Sequence, residues 1–168
     1  MSLDPQLDPR RTVREGRDLY LEINGFDMRA YVEPTFALPV LGREVKLPNP
    51  PARQRAIARH DLHHAITGYG TDYAGEAEIG MWELRAGCNT AFLWMINLAA
   101  VAIGMFVAPS RTLRAFRDAK GSRSLYVDER ELDTVLDLPL AELRASCGVP
   151  RDGIASGRWV RRRTPQPA

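Results

Sequence analysis

The stretch "HDLHHAITGYGTDYAGE", residues 60–76, holds all three histidines of the chain, His60, His63 and His64, within five positions. On a helix, His60 and His64 stand one turn apart and can share a metal ion at about 2.0–2.1 Å from each ring nitrogen. Asp61 follows the first histidine directly, and Glu76 follows His64 after eleven intervening residues. Two imidazoles and a carboxylate, with further coordination positions left open, are the usual donor set of non-haem iron and catalytic zinc sites. The donor set implies a divalent ion without choosing among zinc, iron, manganese and cobalt. Asp61 is either a fourth ligand or a group that orients an imidazole from behind. Histidines spaced this way are often only core or cap partners. Here the clustering and the carboxylate beyond the glycines favour the metal reading.

Helical phase sharpens the expectation. His60, Asp61 and His64 share an arc of roughly 100° around Ile57, while Arg59 and His63 fall on the opposite side. His60, Asp61 and His64 are therefore expected to point inward and His63 to face water. Gly70 lies six residues after His64 and six before Glu76. A helix pair hinged there sets His64 level with Glu76 and His60 level with Gly80. A glycine opposite a histidine leaves space over the metal, so Gly80 is a candidate wall of the substrate pocket. Glu83, seven residues beyond Glu76 on the same face, is either a spare ligand in that pocket or a solvated carboxylate.

The elements that must position these residues are mostly helices. Thr12 can cap a helix through "TVREGRDLYLEI", ended by Asn24-Gly25, although a hairpin on the same Asn-Gly is a rival. "TFALPVLGREVKLP" reads as two short strands about Gly42-Arg43, kept at a sheet edge by Pro39. The histidine helix starts near Pro51 and runs to about Thr67, where Gly68 and Gly70 break it. Thr71 or Asp72 caps the next helix, to about Ala86. An apolar helix reaches Pro109, and a basic helix, "RTLRAFRDAK", follows. Asp128 with Glu131 suggests a capping box before "LDTVLD", and "PLAELRAS" forms a last helix stopped by Gly148 and Pro150. The fold class is mainly α: a single-domain helical bundle over residues 11–150, with a small β-hairpin in its N-terminal third. Residues 1–10 are expected to form a flexible arm and 151–168 a basic flexible tail.

The 168 residues suffice for one hydrophobic core, and an apolar fraction of 45% is ordinary for a globular domain. A net charge of +2 does not describe a polycation, and no nucleic-acid partner is expected. Lys46 and Lys120 are the only lysines, so arginine carries nearly all positive charge. Cys88 and Cys147 are too few for a disulfide framework, and a reducing compartment suits them. "MSLDPQLDPRR" has no apolar core of a signal peptide.

Thr90 to Ala108, "TAFLWMINLAAVAIGMFVA", carries no charge and is long enough as a helix to span about 27–29 Å. It fits a transmembrane span, a buried central helix, or a helix that lines a prenyl tunnel or packs across a homodimer. Asn89, Asn97, Gly87 and Gly104 suit protein packing, and a buried or membrane-contacting helix is favoured. The last 18 residues hold Arg151, Arg158, Arg161, Arg162 and Arg163 against Asp152, with Trp159 among them. That tail can touch anionic lipid or merely solubilise the chain.

His60-Asp61, two residues, His64, eleven residues and Glu76 resemble the H-D-x-x-H…E signature of the fourth Coq protein family of coenzyme Q (ubiquinone) biosynthesis. The resemblance is strongest from Ala56 to Gly87 and continues through the apolar helix to "LDLPLAELRASCGVP". It implies a mainly helical protein that binds a divalent metal through His60, Asp61, His64 and Glu76. It further implies a cytoplasmic protein held peripherally at the inner membrane beside other quinone-biosynthesis enzymes. The implied reaction is oxidative decarboxylation at ring carbon one of a polyprenylated hydroxybenzoate-type precursor. Two alternatives come from other classes. One is a non-catalytic scaffold that binds a prenyl lipid and uses the metal structurally. The other is a metallohydrolase, although HD-type phosphohydrolases need a further histidine that this chain lacks.

Overall fold

A computed structural model describes residues 8–40 and 43–155. Among the described residues, seven helices and one two-stranded sheet follow in order: α1 (Val13–Asn24), β1 (Thr35–Val40), β2 (Arg43–Pro48), α2 (Pro51–Thr67), α3 (Tyr73–Ala86), α4 (Ala91–Val107), α5 (Pro109–Asp118), α6 (Leu132–Leu136) and α7 (Leu140–Ser146). Single 3-10 turns lie at Met28–Tyr31 and Leu125–Val127. The mainly α expectation with one small hairpin holds.

Local chemistry explains most boundaries. Thr12 and Glu15 form a reciprocal capping box on α1, and Gly25 closes that helix at φ 68°. The helical reading of residues 12–24 is therefore the observed one. β1 and β2 pair antiparallel, Phe36 opposite Leu47 and Val40 opposite Arg43, so both strands are edges and Pro39 removes no interior ladder bond. The turn expected at Gly42-Arg43 falls partly on residues 41–42, outside the described residues. Arg53 of α2 lies 3.5 Å over the Phe36 ring and ties the hairpin to the histidine helix.

α2 starts at Pro51 and stops at Gly68, whose N–H binds the His64 carbonyl at φ 78°. Asp72 caps α3 by accepting from the Gly75 N–H at 2.7 Å. Leu62, Ile66, Ile79, Trp82, Leu125 and Leu143 anchor the core, where α2 sits between α3 and the C-terminal segments.

Three expectations change. The Asp128/Glu131 capping box does not form. Asp128 accepts from the Arg130 N–H and guanidinium instead, and α6 begins at Leu132 with no side-chain cap. The C-terminal boundary moves to at least Ala155, because the Ile154 and Ala155 amides bind the Thr67 carbonyl at 2.8 and 2.9 Å. The arginines and tryptophan expected in the tail from Arg158 onward lie outside the described residues. Finally, α4 is not a buried central helix. It lies on α3 through Leu93, Asn97 and Gly104 and leaves its other faces exposed. At 17 residues it is about 25 Å long, and no helix among the described residues is long and apolar enough to cross a membrane.

Candidate metal centre

The close approach of α2 and α3 begins at two glycines. A Cβ on Gly75 would lie 2.3 Å from the Gly70 carbonyl oxygen, so only glycine lets the first turn of α3 fold back on the loop that leaves α2. That contact brings Glu76 over the last two turns of α2. His60 Nε2 then stands 3.1 Å from His64 Nε2 and 3.4 Å from Glu76 Oε2, and His64 Nε2 stands 3.6 Å from Glu76 Oε1. Four donors placed tetrahedrally at 2.0–2.1 Å from an ion are separated by about 3.3–3.4 Å. The two His–Glu76 contacts go to different carboxylate oxygens, but all three contacts lie near that range, so the three side chains can converge on a divalent metal with at least one position left over. His64 is fully buried, whereas 27% of the His60 side chain and 39% of the Glu76 side chain remain exposed, which places the opening on their side.

Hydrogen bonding fixes which nitrogen each ring presents. His64 Nδ1 donates to the Tyr69 carbonyl at 2.9 Å, and His60 Nδ1 donates to Glu83 Oε1 at 2.9 Å. Neither acceptor carries a proton to give back at neutral pH, so both Nδ1 atoms hold hydrogens and both Nε2 atoms face one another and Glu76. Such a convergence needs a cation. Burial pulls His60 down, but the Glu83 and Glu76 carboxylates outweigh it and raise its pKa well above the usual imidazole value. In the metal-free protein a proton on His60 thus supplies that cation. Burial holds His64 below the ordinary imidazole value and so keeps its lone pair free. Burial opposes ionisation of Glu76, yet hydrogen bonding to His60 and the electrostatic influence of the neighbouring His64 and His60 rings more than offset it, and its pKa is lowered. Its place in the first turn of α3, at the positive end of the helix dipole, acts the same way.

Glu83 organises the inner side. It is fully buried and accepts from four groups: His60 Nδ1, His63 Nδ1 at 2.6 Å, Asn97 Nδ2 at 2.8 Å and the Tyr126 hydroxyl at 3.1 Å. Burial alone would raise its pKa, but the His60 charge and the bonds from both histidines hold it far below the usual carboxylate range. With these donors its oxygens are occupied, so Glu83 is a carboxylate behind a ligand rather than a ligand or a pocket wall.

His63 does not face water. It is completely buried, 5.2 Å from the Trp82 ring, and its Nε2 accepts from the Leu125 N–H at 2.8 Å. The phase argument assumed one buried face. The Leu125–Val127 turn covers the opposite face of α2 as well, so every residue from Asp61 to Thr67 is buried.

Asp61 stands outside the ligand cluster. Tyr31 donates to its Oδ2 at 2.5 Å and Tyr20 to its Oδ1 at 3.4 Å, and Tyr20 stacks on His64 with centroids 5.4 Å apart. Burial raises the Asp61 pKa. Of its two sequence readings, the geometry is that of a group that orients the imidazole, here through Tyr20. Gly80 also lies elsewhere: a Cβ there would meet the Asn97 carbonyl oxygen at 3.3 Å and Ala100 Cβ at 3.4 Å. It permits close packing of α3 on α4 and opens no space over the histidines.

The structure thus brings His60, His64 and Glu76 together. Sequence reasoning missed Tyr20, Tyr31, Tyr69, Asn97, Tyr126 and buried Arg144. Arg144 donates to the Ile66 and Ala65 carbonyls and so closes the C-terminal end of α2. Only Asn97, a lone polar residue in an apolar helix, gave a visible signal. Comparisons with protein-family models, curated proteins and solved structures return no match for this chain.

Proposed function

We propose that His60, His64 and Glu76 hold a divalent metal ion, and that the protein uses it in ubiquinone biosynthesis on a polyprenylated, carboxylated phenol. The observation that carries the metal reading is the convergence of two Nε2 atoms and the Glu76 carboxylate at contacts of 3.1, 3.4 and 3.6 Å. The substrate and reaction rest on the resemblance of the His60-Asp61-x-x-His64…Glu76 pattern to the fourth Coq family. A bound dication would accept a ring carboxylate or phenolate oxygen and stabilise the negative charge left as carbon dioxide departs. Replacing a ring carboxylate by hydroxyl is a two-electron oxidation, so an oxidant such as dioxygen takes part.

The chain's own residues do the positioning. Glu83 holds His60 through Nδ1 and the Tyr69 carbonyl holds His64 through Nδ1, which leaves both Nε2 atoms aimed at the site. Tyr20 on one side and His60 on the other clamp the His64 ring. Exposed edges of His60 and Glu76 form the approach for substrate.

The test has two parts. Elemental analysis of purified protein is expected to find about one divalent ion per chain, reduced to a small fraction in His64→Ala and Glu76→Ala at unchanged far-UV circular dichroism. Incubation with a prenylated hydroxybenzoate under dioxygen is expected to release carbon dioxide and yield the hydroxylated ring by mass spectrometry. Metal retention without turnover would replace the enzyme by the lipid-binding scaffold. Retention of metal in both variants would remove the site itself.

A further inference from the structure

α4 is apolar and exposed at once. Nine of its seventeen residues are large hydrophobic side chains left accessible, including Phe106 at 91%. With Leu113 and Phe116 of α5 they expose on the order of 1,000 Å² of apolar surface, above the roughly 300–600 Å² of the largest patch on a typical monomer.

The pattern within that surface is regular. Phe92, Met95, Ala99, Ala102 and Phe106 are all exposed and follow spacings of three, four, three and four. This is the a/d repeat of a helix that pairs with another helix. In the same register Asn97 and Gly104 occupy the f positions, and these face the protein's own α3. The a/d seam therefore points directly away from the domain. Positions e and g, charged in most isolated coiled coils, are Ile96, Ile103, Leu98 and Met105, also exposed. They widen the seam toward the roughly 800 Å² per partner of a stable interface.

We infer that α4 is a dimerisation helix that packs antiparallel against α4 of a second copy of this chain. Opposed helix dipoles favour that direction. In a/d pairing, Ala99 of each copy meets Ala102 of the other at the centre, and Met95 meets Phe106 on either side. Small residues at the centre let the helix axes approach to about 8 Å, while the bulky ends fill the flanks. The same face of both copies is used, as a twofold axis requires. A lipid surface is the competing occupant, since Arg114, Arg117 and Lys120, in the segment that follows α4, are exposed. The alanine pair at the centre, which lets a second helix approach closely, and an exposed area of the size a stable interface needs favour a helix over lipid. The inference is independent of the metal reading and fails or stands apart from it.

The test uses the full chain. Light scattering and sedimentation over a concentration series are expected to show a dimer, and Ala99→Arg, an exposed position, is expected to weaken it by at least about 100-fold by burying an unpaired arginine from each copy against the apolar seam. Circular dichroism and metal content of that variant should match wild type. The double variant Ala99→Cys with Ala102→Cys should give an air-oxidised dimer. Peptide mapping is expected to find position 99 of one copy linked to position 102 of the other. A monomer at every concentration, a dimer indifferent to Ala99→Arg, or position 99 linked to its own counterpart in the second copy would each overturn the proposal. Monomeric wild type whose binding to anionic vesicles is abolished by Ala99→Arg would overturn it in favour of lipid.

Discussion

α2 and α4 are both 17 residues long, and each lies in the place the other's composition suggests. α2 carries arginines, histidines, an aspartate and a glutamine, yet its second half is buried on all sides. α4 carries no charge at all, yet most of its circumference is exposed. In these two helices burial follows the partners available to each side chain more than hydropathy. Every polar group in the inner half of α2 meets a designated acceptor or donor: Glu83 for His60 and His63, the Tyr69 carbonyl for His64, Tyr20 and Tyr31 for Asp61. Satisfied polar groups tolerate burial, and unsatisfied ones do not. α4 has one such group, Asn97, and that is the side it turns inward, to Glu83. Its apolar residues outnumber the sites the domain core offers them.

Changes on α2 and its partners should therefore cost far more than changes on α4. The largest effect is expected for Glu83→Ala, which strips the shared acceptor from His60, His63, Asn97 and Tyr126. Removing one member of a buried charged network costs about 3–5 kcal/mol, and chemical denaturation should report a loss of that size. A loss below about 1 kcal/mol would mean that water replaces the carboxylate and that the network is not dry.

Next comes His63→Ala. It leaves the Leu125 N–H and part of Glu83 unsatisfied and opens a cavity beside Trp82, for an expected loss of about 2–4 kcal/mol. Metal content of the folded variant should stay near that of wild type, because His63 faces away from the ligand cluster. Loss of metal with stability intact would exchange the roles of His63 and His64.

Acid should act in the same direction, more gently. Burial lowers the pKa of His63 and His64, so in the metal-free protein both stay neutral while the unfolded chain takes up protons below about pH 6.5. His60, raised, keeps its proton in the fold while its unfolded counterpart is only partly protonated near pH 7, so it offsets part of this effect above about pH 6.5 and is neutral to the balance only well below that. The unfolded state thus binds more protons, and stability falls as pH drops from 7 toward 5, by up to about 2 kcal/mol. Denaturation midpoints of chelated protein at these pH values check the sign. A midpoint that rises on acidification would show His63 or His64 protonated in the fold.

The smallest effect is expected for Phe106→Ser on α4. At 91% exposure the ring has little to lose within its own chain. Monomer stability, measured at a protein concentration that disfavours association, should stay within about 0.5 kcal/mol of wild type. A larger loss would show that α4 is more deeply embedded than its exposure indicates.

Much of this was legible in the order of residues, because caps and breakers act over a few positions. Thr12 with Glu15, Pro51, Gly68 and Asp72 set the ends of α1, α2 and α3 through bonds to their own neighbours. The i, i+4 spacing of His60 and His64 put two imidazoles on one side of a helix wherever that helix packs, and the glycine hinge returned Glu76 to them. What needed the tertiary structure is which faces of each helix are covered. The Leu125–Val127 turn reaches α2 from more than sixty positions away in sequence (Leu125 N–H to His63 Nε2), and it makes His63 a core residue. α4, not the histidine helix, takes the space beside Gly80, and Asn97 arrives with it to hold Glu83. Periodicity reports that a helix has an apolar side and cannot report how many neighbours will cover it. That number is set by contacts distant along the chain, whose pairing depends on the packing of the whole domain.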